Sequence, residues 1–403
     1  MRILQVCNKI PYPLKDGGAI AIHHLSKGFI NAGNSVDLLV MNTSRHRTDR
    51  ETVRTYYDKM GAGIVELVDI NTEIRFIKAV INLLFSRLPY NASRFISKSF
   101  GEKLEDLLSG NDYDLVQFEG LYLMPYMRIV RKYSDARIAF RAHNVEHEIW
   151  HESSLGMTGL LKKIYLRILA RRIEKFEYHY INSYDYLIPI SDRDALKFKM
   201  MGNTKPCFVC PFGFDFDTMP VNQVPPKERN LFYIGSLDWL PNQEGLVWFI
   251  KNVWKEIMAV HPGLKFYVAG RNAPGWLASL SRQYNVEFLG EVADAFSFMS
   301  DKALMVVPLF SGSGMRVKIV EAMAAGKVVI STAKGAEGIG LKDGNDIIIA
   351  DDTEAFISAV GKMQSDENEY LQITKNAIRF VREKLNNDSI SSRLSEFYKS
   401  QLK

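Results

Sequence analysis

Short apolar runs alternate with helix-like stretches along almost the whole chain, and that alternation constrains its fold more than any other feature. In the first half the pattern predicts strands at Arg2–Cys7, Val36–Met41, Ile64–Val68, Leu115–Glu119, Arg137–Phe140 and Tyr186–Pro189. In the second half it predicts Leu231–Gly235, Phe266–Ala269, Val286–Gly290, Leu304–Pro308, Val328–Ser331 and Ile347–Ala350. Strands joined through helices pair in parallel, so the fold class is α/β. At 403 residues the chain exceeds what one core usually fills. Its polar, proline-containing stretch Val221 to Lys227 marks a break. The expectation is two Rossmann-like domains with parallel sheets facing across a cleft, with ligands at the carboxyl ends of the strands.

The segment Pro308 to Gly326 (PLFSGSGMRVKIVEAMAAG) adds chemistry to that frame. A strand leads into a loop with Gly312 and Gly314, and a helix follows near Arg316. Glycines let backbone approach a ligand closely, and a helix start offers free N–H groups and a positive dipole end to a phosphate. Glu321 lies about one and a half turns further on, within reach of the ribose hydroxyls of a nucleotide held there. Nucleotide-diphosphate binding is implied.

Composition excludes several classes. With 47% hydrophobic and 24% charged residues the chain is an ordinary globular protein, and a net charge of +5 does not call for nucleic acid. No apolar run is long enough for a transmembrane helix. The opening Met1 to Cys7 reads as a strand rather than a signal peptide. Three cysteines suit a reducing compartment. Cys207 and Cys210 are read as two small buried residues on an extended segment, not a redox pair.

The order of short motifs then resembles the GT-B glycosyltransferases, specifically family 4 of the retaining enzymes. The resemblance is carried by Asp16-Gly17-Gly18, His143-Asn144, Ser191-Asp192, Pro211 to Asp215, Gly235-Ser236, Gly270-Arg271 and the Gly314-to-Gly326 segment. It implies an N-terminal acceptor domain over 1–215, with a C-terminal helix at about 386–403 packing back on it. A nucleotide-sugar donor domain would span 216–385. It further implies transfer of a hexose from a UDP- or GDP-linked sugar to a glycan or lipid-linked acceptor in surface polysaccharide biosynthesis. No separate cofactor and no metal are expected, because no paired carboxylates stand where a metal would be needed.

By the same resemblance Gly17 and Gly18 lie against the donor, ahead of a helix starting near Ala19, and His143 is the active-site histidine. Gly270, Arg271 and Val292 line the base pocket, with phosphate or a domain-stabilising carboxylate as the partner open to Arg271, while the segment Ser313, Gly314, Met315 to Glu321 faces diphosphate and ribose. Glu119, at the end of its strand, is a catalytic candidate as acceptor contact or general base; a capping or salt-bridge role is the alternative. This chain departs from the family pattern in the donor half. Ser236 and Pro241 stand where an Arg and a Lys are usual, and Ser313 replaces a glutamate. Arg316 and Lys318 occupy positions usual for Gly and Pro. The expectation is that the two cations missing from one wall of the phosphate pocket return on the facing loop as Arg316 and Lys318, to stabilise the leaving diphosphate.

Rival readings stay open at this level. His143, Glu146 and His147 spell H-x-x-E-H, the inverted zinc-peptidase motif, although His143 falls at a strand–helix junction and His147 and His151 read as helix-surface residues. A catalytically silent nucleotide-sugar-binding subunit is the other rival. Two basic amphipathic stretches, Asn71–Phe100 and Leu160–Lys175, suit an anionic membrane surface and equally suit helices packed on their own core. The expected location is cytoplasmic, with peripheral placement on the inner membrane face as the further option.

Overall fold

The computed structural model describes residues 1–14, 17–44, 47–155, 159–216, 226, 228–312 and 315–402. Asp16, Ser313, Gly314 and most of the Val221–Lys227 stretch lie outside them. The described chain forms two compact units: Met1–Gly213 with Asn387–Lys403, and Phe214–Asn386.

The first unit is built on a six-stranded sheet in the order β3-β2-β1-β4-β5-β6. Its strands are β1 (Arg2–Cys7), β2 (Ser35–Thr43), β3 (Val65–Ile70), β4 (Leu115–Glu119), β5 (Arg137–Ala142) and β6 (Tyr186–Pro189). All neighbours pair in parallel. Helices on both faces explain why the strands read as nearly unbroken apolar runs. Along β1 the side chains alternate: Leu4 and Val6 pack with Phe118 and Phe140, while Ile3 and Cys7 pack with Ile22, Leu25 and Phe29. The second unit repeats the plan in the order β12-β11-β10-β7-β8-β9. Here the strands are β7 (Leu231–Ser236), β8 (Phe266–Arg271), β9 (Glu287–Gly290), β10 (Leu304–Val307), β11 (Val328–Ser331) and β12 (Ile348–Ile349). In both sheets the order reverses beside a central strand, the place where open α/β sheets leave a crevice at their carboxyl edge.

The C-terminal helix Asn387–Leu402 belongs to the first unit. Asn387 Nδ2 donates to the His24 carbonyl at 2.7 Å, and Tyr398 Oη donates to Gln117 Oε1 at 2.8 Å beneath the sheet. Its packing against the helix Gly17–Asn31 depends on a missing side chain. A Cβ on Gly28 would lie 2.0 Å from Ser391 Oγ. Gly28→Ala therefore trades about 1 kcal/mol of helix propensity for an overpacking cost of about 1–3 kcal/mol. We expect a net lower Tm in thermal denaturation; an unchanged Tm would mean the two helices can separate without penalty.

Candidate active site

In the first unit, polar residues gather where β1, β4 and β5 end. Glu119 closes β4 beside Cys7 and Arg141 in register, and Gly120 turns the chain with φ of +114°, its missing Cβ lying 3.2 Å from Asn8 Nδ2. Glu119 is wholly buried. Its Oε1 accepts from Gln117 at 2.6 Å and Gln5 at 3.3 Å, and its Oε2 faces His143 Nε2 at 2.8 Å and Arg141 at 3.4 Å. Burial alone would raise the Glu119 carboxyl, but Arg141 and His143 outweigh it and hold it below the usual range. This departs from the expectation of a carboxylate reaching substrate. Every lone pair Glu119 could offer is committed inside the fold, so it positions His143 and neutralises Arg141.

His143 keeps one-fifth of its side chain accessible. Burial lowers its imidazole below the ordinary value, with the Glu119 bond opposing that shift. The ring is thus neutral at pH 7. Donation from Nε2 to the carboxylate leaves Nδ1 as an acceptor, suited to a sugar hydroxyl. The other histidines of the H-x-x-E-H pattern go elsewhere. His147 Nδ1 lies 2.6 Å from Glu177, not at the helix surface as expected. Burial would lower His147, and Glu177 outweighs it to raise it. Glu146 accepts from Tyr122 Oη at 2.8 Å, and burial pushes its carboxyl up to about 7. His143 and His147 face different carboxylates, so the pattern does not converge on one centre. Gly17 and Gly18 open the helix Gly17–Asn31 two residues before the expected start.

In the second unit the predicted donor residues converge around the start of the helix Val317–Ala324. Lys318 Nζ donates to Tyr233 Oη at 3.1 Å and Asn242 Oδ1 at 3.2 Å, and lies 4.3 Å from the Tyr233 ring centroid. Gly235 leaves room for it, since a Cβ there would sit 3.3 Å from that Nζ. Burial, aided by the like charge of Arg316, lowers the Lys318 ammonium to about 7. Arg316 is buried with its guanidinium 5.3 Å from the Trp239 ring centroid. Gly312 holds φ at +93°, and a Cβ on it would meet Trp239 Cη2 at 2.6 Å, so this close approach requires glycine. Glu321 is half-buried, and burial alone raises its carboxyl to about 7. No carboxylate among the described residues pairs with Lys318, and no cation pairs with Glu321.

Ser236 and Arg271 sit in register at the ends of β7 and β8, and Gly270 packs so tightly that its Cβ would lie 2.0 Å from the Gly235 carbonyl. Met315 is half-buried just before the helix, and Val292 is half-buried past β9. Tyr233 and Asn242 were missed by sequence reasoning. Asn242 follows Pro241, the position where the family pattern has a lysine, and that adjacency was the available signal. Cys207 is exposed, against the expectation of burial, and Cys210 is buried. Burial raises both thiols, so neither is activated as a nucleophile.

Residues 228–366, the body of this second unit, match the family model of glycosyl transferases group 1. The second unit therefore carries a domain similar to the glycosyl transferases group 1, and the chain has the GT-B fold. Its fold superposes on sucrose-phosphate synthase from Thermosynechococcus elongatus with a TM-score of 0.71 at 15% identity, covering 100% of this chain and 99% of that one. Anabaena HepE in complex with UDP gives 0.68 at 14% identity, covering 99% and 100%. Among curated proteins, the chain is 25% identical to an uncharacterised 44.6 kDa protein in the cps region of Klebsiella pneumoniae, over 97% of this chain and 98% of that one.

Replacing Glu119 by Gln tests the buried network of the first unit. Arg141 would be left without its counter-charge, at a cost of about 3–5 kcal/mol. The Glu119 contribution that raises His143 would also vanish. We expect a lower Tm and a further downward shift of the His143 pKa in an NMR titration; an unmoved His143 would show that the bond does not couple them.

Proposed function

We propose that the chain is a glycosyltransferase that moves a hexose from a nucleotide-diphosphate sugar, with retention at the anomeric carbon, to a glycan or lipid-linked acceptor of surface polysaccharide. The observation that carries the reading is Lys318, a dehydrated amine with neutral hydrogen-bond partners only, beside Gly235 and a helix start. A dehydrated cation without a counter-charge is costly, and a bound diphosphate removes that cost. Arg316 on Trp239 supplies a second cation to the leaving group, and Glu321 accepts from the ribose hydroxyls. His143 Nδ1 accepts from a sugar hydroxyl, with Glu119 fixing its ring. Arg271 and Val292 border the base, and Gly17 and Gly18 serve the donor in the first unit. The UDP and UDP-glucose complexes of HepE support a uridine donor. The cps-region relative supports a polysaccharide role.

Three outcomes follow from these assignments. Lys318→Met should weaken nucleoside diphosphate binding roughly 10- to 100-fold, the value of one charge-assisted hydrogen bond. The pH sign is set by the empty-site amine at about 7. Above that pH the amine is neutral, so diphosphate binding takes up a proton and affinity falls as pH rises, by up to about tenfold per unit. Calorimetry across pH 7 to 9 should show this slope in the native chain and lose it in Lys318→Met. With Arg316 and Lys318 carrying the leaving-group charge, turnover should persist in EDTA, and proton NMR of the first product should show the donor's anomeric configuration. An inverted product, or EDTA-abolished turnover restored by a divalent cation, would contradict the proposal.

A further inference from the structure

The first unit carries an apolar surface that its own fold leaves uncovered. In the helix Phe76–Phe85 only Ala79 is buried, and Lys78 is its single charged residue. Phe76 is 81% exposed, Ile77 72%, Leu84 68% and Phe85 82%. Beside it the long helix Leu160–Tyr180 opens with Leu160 and Leu161, 74% and 83% exposed. The two are joined: Arg172 donates to the Asn82 and Leu83 carbonyls at 3.1 and 2.7 Å, binding the carboxyl end of the shorter helix to the longer one. Large apolar side chains exposed to this degree along two joined helices mark a surface that something covers.

Charge decides what covers it. Arg75, Lys78, Lys162 and Lys163 stand among these side chains, and no carboxylate occurs from Phe76 to Arg87 or from Leu160 to Arg172. The nearby acid Glu73 is paired with Arg75 at 3.5 Å. A protein partner of matching apolar shape would not need these cations; anionic headgroups around an apolar acyl boundary match both features. At 10 residues the shorter helix is ~15 Å long, half of the ~30 Å hydrocarbon core. No described helix is long and apolar enough to cross a membrane. We infer that the helix Phe76–Phe85 and the start of Leu160–Tyr180 dock the chain onto an anionic bilayer, lying in the interface with their apolar side chains inserted. This deepens the lipid-linked acceptor reading within the function proposed above.

The test is flotation of the full chain with vesicles of phosphatidylcholine alone and of phosphatidylcholine with 30% phosphatidylglycerol, a composition of order that anionic membranes present. We expect flotation with the anionic vesicles, weakened at high salt and little with the neutral ones. Phe76→Ser with Phe85→Ser should weaken binding at least tenfold, and so should Lys162→Glu with Lys163→Glu on the other helix. Phe76, Phe85 and Lys162 are exposed and Lys163 is half-buried, so Tm should hold in both variants. UDP stabilisation measured on the same preparations reports the donor site separately. No flotation with anionic vesicles, or binding unchanged in both variants, overturns the inference. So does a concentration-dependent dimer that the Phe76→Ser, Phe85→Ser variant abolishes while vesicle binding persists.

Discussion

A cation withdrawn from water must find a negative charge, and the two units meet that constraint in opposite ways. In the first, Arg141 is buried at the end of β5 and Glu119 neutralises it from β4. That pair leaves a fixed, charged carboxylate beneath His143, which sets the ring's tautomer, while burial outweighs the carboxylate's upward pull and lowers the imidazole. In the second, Lys318 is surrounded by Tyr233, Asn242 and Gly235, none of which carries charge. The fold there is incomplete electrostatically until an anion arrives. The contrast separates an internal scaffold from the site proposed to bind donor, although both lie at strand ends of similar sheets.

The same contrast explains what could be read from sequence. Parallel strands buried on both faces announce themselves as apolar runs, so β1, β4, β6 and β11 appear with the boundaries the pattern predicts. The start of the helix Val317–Ala324 was legible because a glycine loop between strand and helix is a local signal. Glu119 was legible as a strand-end carboxylate, but not its burial, because Arg141 and His143 reach it from a neighbouring strand. Tyr233 and Asn242 escaped for the same reason: they lie 85 and 76 residues from Lys318 in the chain. Cys207 shows the limit of composition as a guide, since a small apolar residue is buried only if the segment it occupies is covered. Ser313 and Gly314, which completed the predicted phosphate loop, lie outside the described residues.

Departure from the family pattern in the donor half also acquires a physical sense. Ser236 and Pro241 carry no positive charge where the family pattern has it, while Arg316 and Lys318 place it at the helix start. Arg316 is held by stacking on Trp239, an arrangement that Gly312 permits by lacking a side chain. Glu321, raised by burial on the next turn but one, remains able to accept hydroxyl donors when ionised. In the function proposed above, these pieces would serve diphosphate and ribose with charges drawn from the start of one helix.

The most direct test of that claim compares thermal stabilisation by uridine with stabilisation by UDP, and guanosine with GDP, in the native chain and in Lys318→Met. The account predicts a clear shift with one diphosphate, little with its nucleoside, and loss of that difference in the variant. An equal shift with nucleoside and diphosphate, or a difference that survives Lys318→Met, would contradict it.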